Sequence, residues 1–183
     1  IQAERDQGIT IDTTQIRFST AKRPYVIIDA PGHIEFLKNM ITGAASSEAA
    51  LLLIDAAEGV QEQSRRHGYL LSLLGIPQVA VLVNKMDLVD YDARRFGEVA
   101  EIYRDYLAGI GVEATAFIPI SAREGDNIAA HSRNMPWYQG PTVLGMLDGF
   151  QPRPPLADRP LRLLVQDVYK FDRRRIVAGR VEA

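Results

Sequence analysis

Short apolar runs that stop abruptly on a polar residue recur along this chain, and that pattern restricts its fold more than any other feature. Tyr25-Val26-Ile27-Ile28 ends on Asp29, the run from Ala49 to Ile54 ends on Asp55, Val79-Ala80-Val81-Leu82-Val83 ends on Asn84, and the run from Ala116 to Ile120 ends on Ser121. Runs of this kind, rich in Val, Ile and Leu and bounded by turn residues, read as strands buried on both faces, as in parallel sheets. Between them lie stretches of helical period. Phe36, Met40 and Ala44 recur at four-residue steps after His33; Leu70, Leu71 and Leu74 share a face within 61–74 before Gly75; 91–108 is closed by Gly109 and Gly111. Strand alternating with helix over 25–150 predicts an α/β fold, a largely parallel sheet with helices on both faces and right-handed crossovers.

The flanking segments differ. Residues 13–19 alternate as an edge strand does, and Lys22-Arg23-Pro24 turns into the strand 25–29. Residues 127–140 read as irregular, and 142–149 as a short helix capped by Thr142. Gln151-Pro152-Arg153-Pro154-Pro155 suits neither helix nor central strand and predicts a stiff linker over 151–160. Beyond it, 161–169 and 176–181 alternate around a polar turn, a hairpin that would begin a second, β-rich domain over 161–183. The start at Ile1, without Met or an apolar core, and the end at Ala183 inside a strand-like pattern lead us to expect an internal part of something longer.

Lys and Arg number 21 against 23 acids, so no global positive field would hold nucleic acid or anionic lipid. No apolar run approaches the roughly 20 residues of a membrane span, so no membrane partner is expected. The absence of cysteine excludes disulfides and thiolate chemistry and is compatible with a reducing compartment.

Polar groups at the carboxyl ends of parallel strands gather at one rim, where open α/β sheets bind ligands, so Asp29, Asn84 with Asp87, and Ser121 are expected to meet there. A carboxylate such as Asp87 can accept from two adjacent N–H groups, which guanine presents and adenine does not. The Lys85 stem can cover the base face, Asn84 can tie neighbouring loops, and Ser121-Ala122 can offer backbone N–H groups to a base oxygen. Gly32 lets the backbone approach an anion closely. Asp29 can hold magnesium through water, Thr10 can ligate it directly, and His33 can orient a water for attack. Each has a plainer reading: Asn84 to Asp87 as a polar strand-to-helix loop, Asp29 to Gly32 and Ser121-Ala122 as turns, Thr10 as strand entry, His33 as a helix cap. His67 and His131 have no comparable setting.

Together these motifs resemble a GTPase of the translation-factor class. Glu4-Arg5-Asp6-Gln7-Gly8-Ile9-Thr10-Ile11-Asp12 resembles its first switch, Asp29-Ala30-Pro31-Gly32-His33 its second, and Asn84-Lys85-Met86-Asp87 and Ser121-Ala122 its guanine-reading loops; the likeness covers nearly the whole chain. Within that class the chain most resembles the large, GTP-hydrolysing subunits of bacterial sulfate adenylyltransferase. That likeness is carried by Ser64-Arg65-Arg66-His67, Leu73-Leu74-Gly75-Ile76, 84–91, Glu124-Gly125-Asp126-Asn127-Ile128, 135–142 and Val168-Tyr169-Lys170-Phe171. The archaeal and eukaryotic factor that carries aminoacyl-tRNA shares much of this, including the Trp137 segment before Gly140-Pro141-Thr142, and is the rival.

The resemblance implies a P-loop GTPase domain over 1–150, using GTP and Mg2+, in a cytoplasmic protein. Thr10 and Asp29 would lie at the metal, and His33 would position the attacking water. Asp29, Ala30, Pro31, Gly32, His33, Asn84, Lys85, Met86, Asp87, Ser121 and Ala122 would line the nucleotide. The partner would be the catalytic small subunit, which forms adenylyl sulfate from ATP and sulfate, and the switches would be released when the terminal phosphate is lost. The rival reading makes the partner tRNA; a further alternative is a non-catalytic interaction module. One departure stands out, because the class uses Gly-x-x-x-x-Gly-Lys-Ser/Thr to cradle phosphates. None of Lys22, Lys38, Lys85 and Lys170 follows a glycine. The resemblance therefore implies that the loop, with its strand and helix, lies upstream in the parent protein, and that this stretch alone binds GTP poorly.

Overall fold

The computed structural model describes residues 14–29, 41, 44, 47–152, 160–172 and 174–181. The chain divides into two compact units, Ile1–Phe150 and Gln151–Ala183.

The first unit is built on a parallel sheet of three strands in the order β3-β4-β5, where β3 is Ala50–Asp55, β4 is Val79–Asn84 and β5 is Ala114–Pro119. Helix α1 (Glu62–Leu73) connects β3 to β4, and α2 (Ala93–Gly109) connects β4 to β5. The family-level expectation of an α/β fold with a parallel sheet holds. Central strand β4 is buried on both faces from Val79 to Val83, as its unbroken apolar run requires. One face packs Val81 and Val83, with Leu52 and Ile54 of β3, against Leu71 of α1 and Val99, Tyr103 and Leu107 of α2. The other packs Ala80 and Leu82 against Val143, Met146 and Leu147 of the short helix α3 (Val143–Leu147), capped by the Thr142 hydroxyl, which accepts from the Gly145 amide at 3.1 Å.

Two strands depart from expectation. β3 is not buried on both faces: Leu53 is 58% exposed, because the α3 layer packs chiefly on β4 and β5. The strand 25–29 does not join the parallel sheet. It forms β2 (Pro24–Asp29), paired antiparallel with β1 (Thr14–Ser19) in a separate two-stranded sheet, with Thr14 opposite Asp29. This hairpin is fastened to the end of α3 by side chains. Thr20 Oγ1 and Tyr25 Oη donate to Asp148 Oδ1 at 2.7 and 2.5 Å, and the Arg23 guanidinium donates to the carbonyls of Leu147, Asp148 and Phe150. The helix expected after His33 lies outside the described residues, apart from helical Ile41 and Ala44.

The helix expected from Tyr91 begins two residues later. Asp90 and Tyr91 take left-handed backbone (φ 52° and 56°), and Asp92 caps α2 by accepting from the Arg94 amide at 2.9 Å. The helices α1 and α2 meet at Gly68, where an added Cβ would stand 2.9 Å from Leu107 Cδ2 and 3.0 Å from Tyr103 Oη. That hydroxyl is buried and donates to the Ser64 carbonyl at 2.6 Å.

The second unit holds the hairpin β6 (Leu163–Phe171) and β7 (Arg174–Val181), antiparallel, with a register shift between Val165 and Asp167. Its turn is shorter than expected. Phe171 pairs with Arg174, and Asp172 supplies the positive φ (48°) that so tight a turn requires. The expected linker falls largely on 153–159, outside the described residues.

Candidate functional site

The parallel register sets Asp55, the last residue of β3, opposite Asn84, the last of β4. Beyond Asn84 the chain turns sharply: Lys85 adopts left-handed backbone (φ 63°) and leads into a 3-10 turn, Met86–Val89. Met86 holds this loop down. Its side chain is 0% exposed in the core, and its amide donates to the Ile120 carbonyl at 3.1 Å. Expected as part of the nucleotide site, Met86 is therefore a buried anchor, since an apolar side chain in this loop gains most by joining the core beneath it.

Besides that backbone bond, two side-chain hydrogen-bond bridges join the loop after β4 to the loop after β5. Asn84 Oδ1 accepts from its neighbour's Lys85 amide at 2.7 Å and from the Ala122 amide at 3.0 Å. Ser121, fully buried, donates its hydroxyl to Asp87 Oδ1 at 2.6 Å and accepts from the Glu124 amide at 3.3 Å. The Ala122 amide is thus engaged with Asn84 rather than open to a base oxygen. Asp87 is half-buried and Lys85 exposed at the same rim. Residues 34 and 38 apart in sequence are tied only because β4 and β5 are hydrogen-bonded neighbours, with Ile120 donating its amide to the Val83 carbonyl at 2.8 Å.

A third group at this rim was not singled out from the sequence. Asp55 Oδ2 pairs with Lys85 Nζ at 2.7 Å, while Oδ1 accepts from the Ala57 and Glu58 amides at 2.8 and 3.2 Å. Burial pushes the Asp55 carboxyl up, but the Lys85 ammonium and the two amides pull it further the other way, so it sits below its ordinary 3.8. The hydrogen bond from Lys85 to Asp55 and the attraction between them raise the lysine in turn. Arg95 on α2 supports the turn, donating Nε to the Ala56 carbonyl at 2.7 Å and Nη2 to that of Ala57 at 3.0 Å. The available signal was an acid ending an apolar run, the same signal that drew attention to Asp29.

Of the remaining expected residues, only Asp29 is among those the structure describes. Asp29 is exposed at the end of β2, in the separate hairpin sheet, so it does not share the rim of β4 and β5 as a neighbouring strand. Thr10, Ala30, Pro31, Gly32 and His33 lie outside the described residues. Among the described residues no cluster of three or more His, Asp or Glu could hold a metal. Asp29 supplies one exposed carboxylate, which fits a magnesium ion that takes most of its oxygens from water and phosphate. The carboxylate of Asp87, turned to the rim and oriented by Ser121, fits a ligand edge carrying adjacent N–H groups.

Comparison with known proteins matches residues 1–166 to the family model described as the elongation factor Tu GTP binding domain. Elongation factor 1-alpha of Methanopyrus kandleri is 46% identical over 185 residues, which cover 100% of this chain and 44% of that protein. The same factor from Thermococcus onnurineus is 46% identical over 183 residues, covering 100% of this chain and 43% of the relative. The bifunctional enzyme NodQ of a Rhizobium species is 45% identical over 170 residues, 93% of this chain and 27% of its own length. The chain thus spans less than half the length of these relatives.

These matches correct the reading as a sulfate adenylyltransferase subunit, and with it the catalytic small subunit as partner. Elongation factor 1-alpha sequences align along the whole of this chain at 46% identity. Among the described residues no helix is long and apolar enough to cross a membrane.

Proposed function

This chain belongs to the elongation factor Tu GTP binding domain family, and from that membership we propose that it is the nucleotide-binding part of a cytoplasmic translation elongation factor that delivers aminoacyl-tRNA. GTP and magnesium are the nucleotide and ion of that family. The reading rests on the bridged rim of β4 and β5, where Asn84 joins the two loops and Ser121 orients Asp87. Relatives named elongation factor 1-alpha, aligned over the whole chain, support translation as the setting.

In this proposal Asp87 accepts the two N–H groups of the guanine edge, Lys85 covers one face of the base, and Asn84 with Ala122 keeps the loops at the spacing the base needs. Met86 anchors them from below. Residues 1–150 form the GTPase domain, 151–160 the linker and 161–183 the beginning of the β-rich domain. Thr10 and Asp29 hold the magnesium ion, which offsets phosphate charge; Gly32, within Asp29-Ala30-Pro31-Gly32-His33, approaches the terminal phosphate, and His33 orients water.

The base reading is tested on the full-length gene product. Asp87→Asn replaces one acceptor by a donor and is expected to move preference from GTP towards xanthosine triphosphate; unaltered preference puts the base elsewhere. The translation reading is tested by adding ribosomes and aminoacyl-tRNA. Ribosomes are expected to stimulate hydrolysis, and aminoacyl-tRNA to bind the GTP form in preference to the GDP form; failure of both removes the assignment.

A further inference from the structure

We propose that Asp55 is a positioning residue for the nucleotide: it pins the Lys85 ammonium at the rim, so that the lysine stem is already laid out as a floor for one face of the purine. This rests on the reading of Asn84 to Asp87 as the guanine site. Asp55 and Asn84 are paired ends of adjacent parallel strands, so the residue after Asn84 emerges beside the Asp55 carboxylate. Lys85 then takes a left-handed backbone (φ 63°), with its amide held by Asn84 Oδ1 at 2.7 Å, and its Nζ reaches Asp55 Oδ2 at 2.7 Å.

Asp55 is not a swinging surface acid. Its side chain is 15% exposed against 52% for Lys85, and its other oxygen is occupied by the Ala57 and Glu58 amides. The turn that supplies those amides is itself held: the Ala56 amide donates to the Asn84 carbonyl at 2.8 Å, the Gly59 amide to the Asp55 carbonyl at 2.8 Å, and Arg95 grips two of its carbonyls. A fixed carboxylate therefore holds a flexible ammonium, not the reverse. Ion pairs with one exposed partner add little to folding. What this pair does accomplish is to remove conformational freedom from a long side chain before a ligand arrives, which improves binding without any new contact.

The test uses the full-length gene product and fluorescent GDP and GTP analogues. Asp55→Asn keeps the shape and loses the charge, and is expected to weaken both nucleotides about tenfold, on the scale of one charge-assisted hydrogen bond, with kcat at saturating GTP unchanged. Asp55→Ser, whose hydroxyl still accepts from the turn amides, is expected to do the same and decides the matter if the Asn variant does not fold. In a Lys85→Met background, Asp55→Asn is expected to add no further loss. Wild-type affinity in the folded Asp55 variants overturns the proposal. So does a loss that persists undiminished beside Lys85→Met, because Asp55 would then act through the turn. Asp87→Asn runs alongside: if it shifts base preference while the Asp55 variants bind normally, the guanine site stands and only the role of Asp55 falls. If it produces no shift, the site and the role fall together.

Discussion

Removing the Ser121 hydroxyl isolates the bridge between the two loops. Ser121→Ala deletes a donor to Asp87 Oδ1 at 2.6 Å and an acceptor for the Glu124 amide at 3.3 Å, in a residue that is 0% exposed. A hydrogen bond to a charged acceptor contributes about 1.5–3 kcal/mol. Asp87 is half-buried, so water can reach the vacated lone pair, and the lower end, about 1.5 kcal/mol, applies. The longer contact from the exposed Glu124 backbone adds about 0.5 kcal/mol at most. The expected loss of folding free energy is thus about 1.5–2 kcal/mol, read as a lower urea midpoint at unchanged slope. Guanine nucleotide affinity should fall by about tenfold as Asp87 loses its fixed orientation, the equivalent of about 1.4 kcal/mol. In an Asp87→Ala background most of both effects should vanish. A midpoint shift worth less than about 0.5 kcal/mol, or a full loss that survives beside Asp87→Ala, would refute the bridge.

Two further expectations concern the fold. Gly68→Ala sets a Cβ 2.9 Å from Leu107 Cδ2 and 3.0 Å from Tyr103 Oη. Overpacking of about 1–3 kcal/mol should outweigh the roughly 1 kcal/mol that alanine adds to helix preference, so the melting temperature should drop. A rise would mean that the helices separate at no cost. Stability should also depend on pH at both extremes. Asp55 is lowered because the bonds from Lys85, Glu58 and Ala57 outweigh the opposing effect of burial, and Asp148 by bonds from Tyr25 and Thr20, so both lie below 3.8 in the folded chain. Their stabilisation is present above that value and is lost progressively as pH falls below it and through the lower folded values, because the unfolded carboxylates take up protons first. At the other end, burial pushes Tyr138 from 10.0 up to about 12 and raises Tyr103 as well, so stability should decline as pH rises above 10. Urea midpoints flat from pH 3 to 5 or from pH 9 to 12 would contradict these assignments.

Much of this protein was legible in its order of residues. The unbroken run Val79 to Val83 determined a strand buried on both faces, Gly75 ended the helix α1, and Thr142 capped α3. The polar residues that close the runs of β3, β4 and β5 marked the rim of the sheet, where Asn84, Asp87 and Ser121 meet, whereas Asp29 closes a strand of the separate hairpin. Those features are local: periodicity and capping depend on neighbours a few residues away. Strand order is not local. Nothing in Tyr25 to Asp29 distinguishes a strand that joins the parallel sheet from one paired in a separate hairpin, and Leu53 carries no mark of the side on which its strand is left uncovered. The pairing of Asp55 with Lys85 and the burial of Met86 arise only once β3, β4 and β5 lie side by side, because each joins groups that separate strands deliver. The close crossing at Gly68 likewise exists only when α1 meets α2, since the contacts that forbid a side chain there come from residues far along the chain.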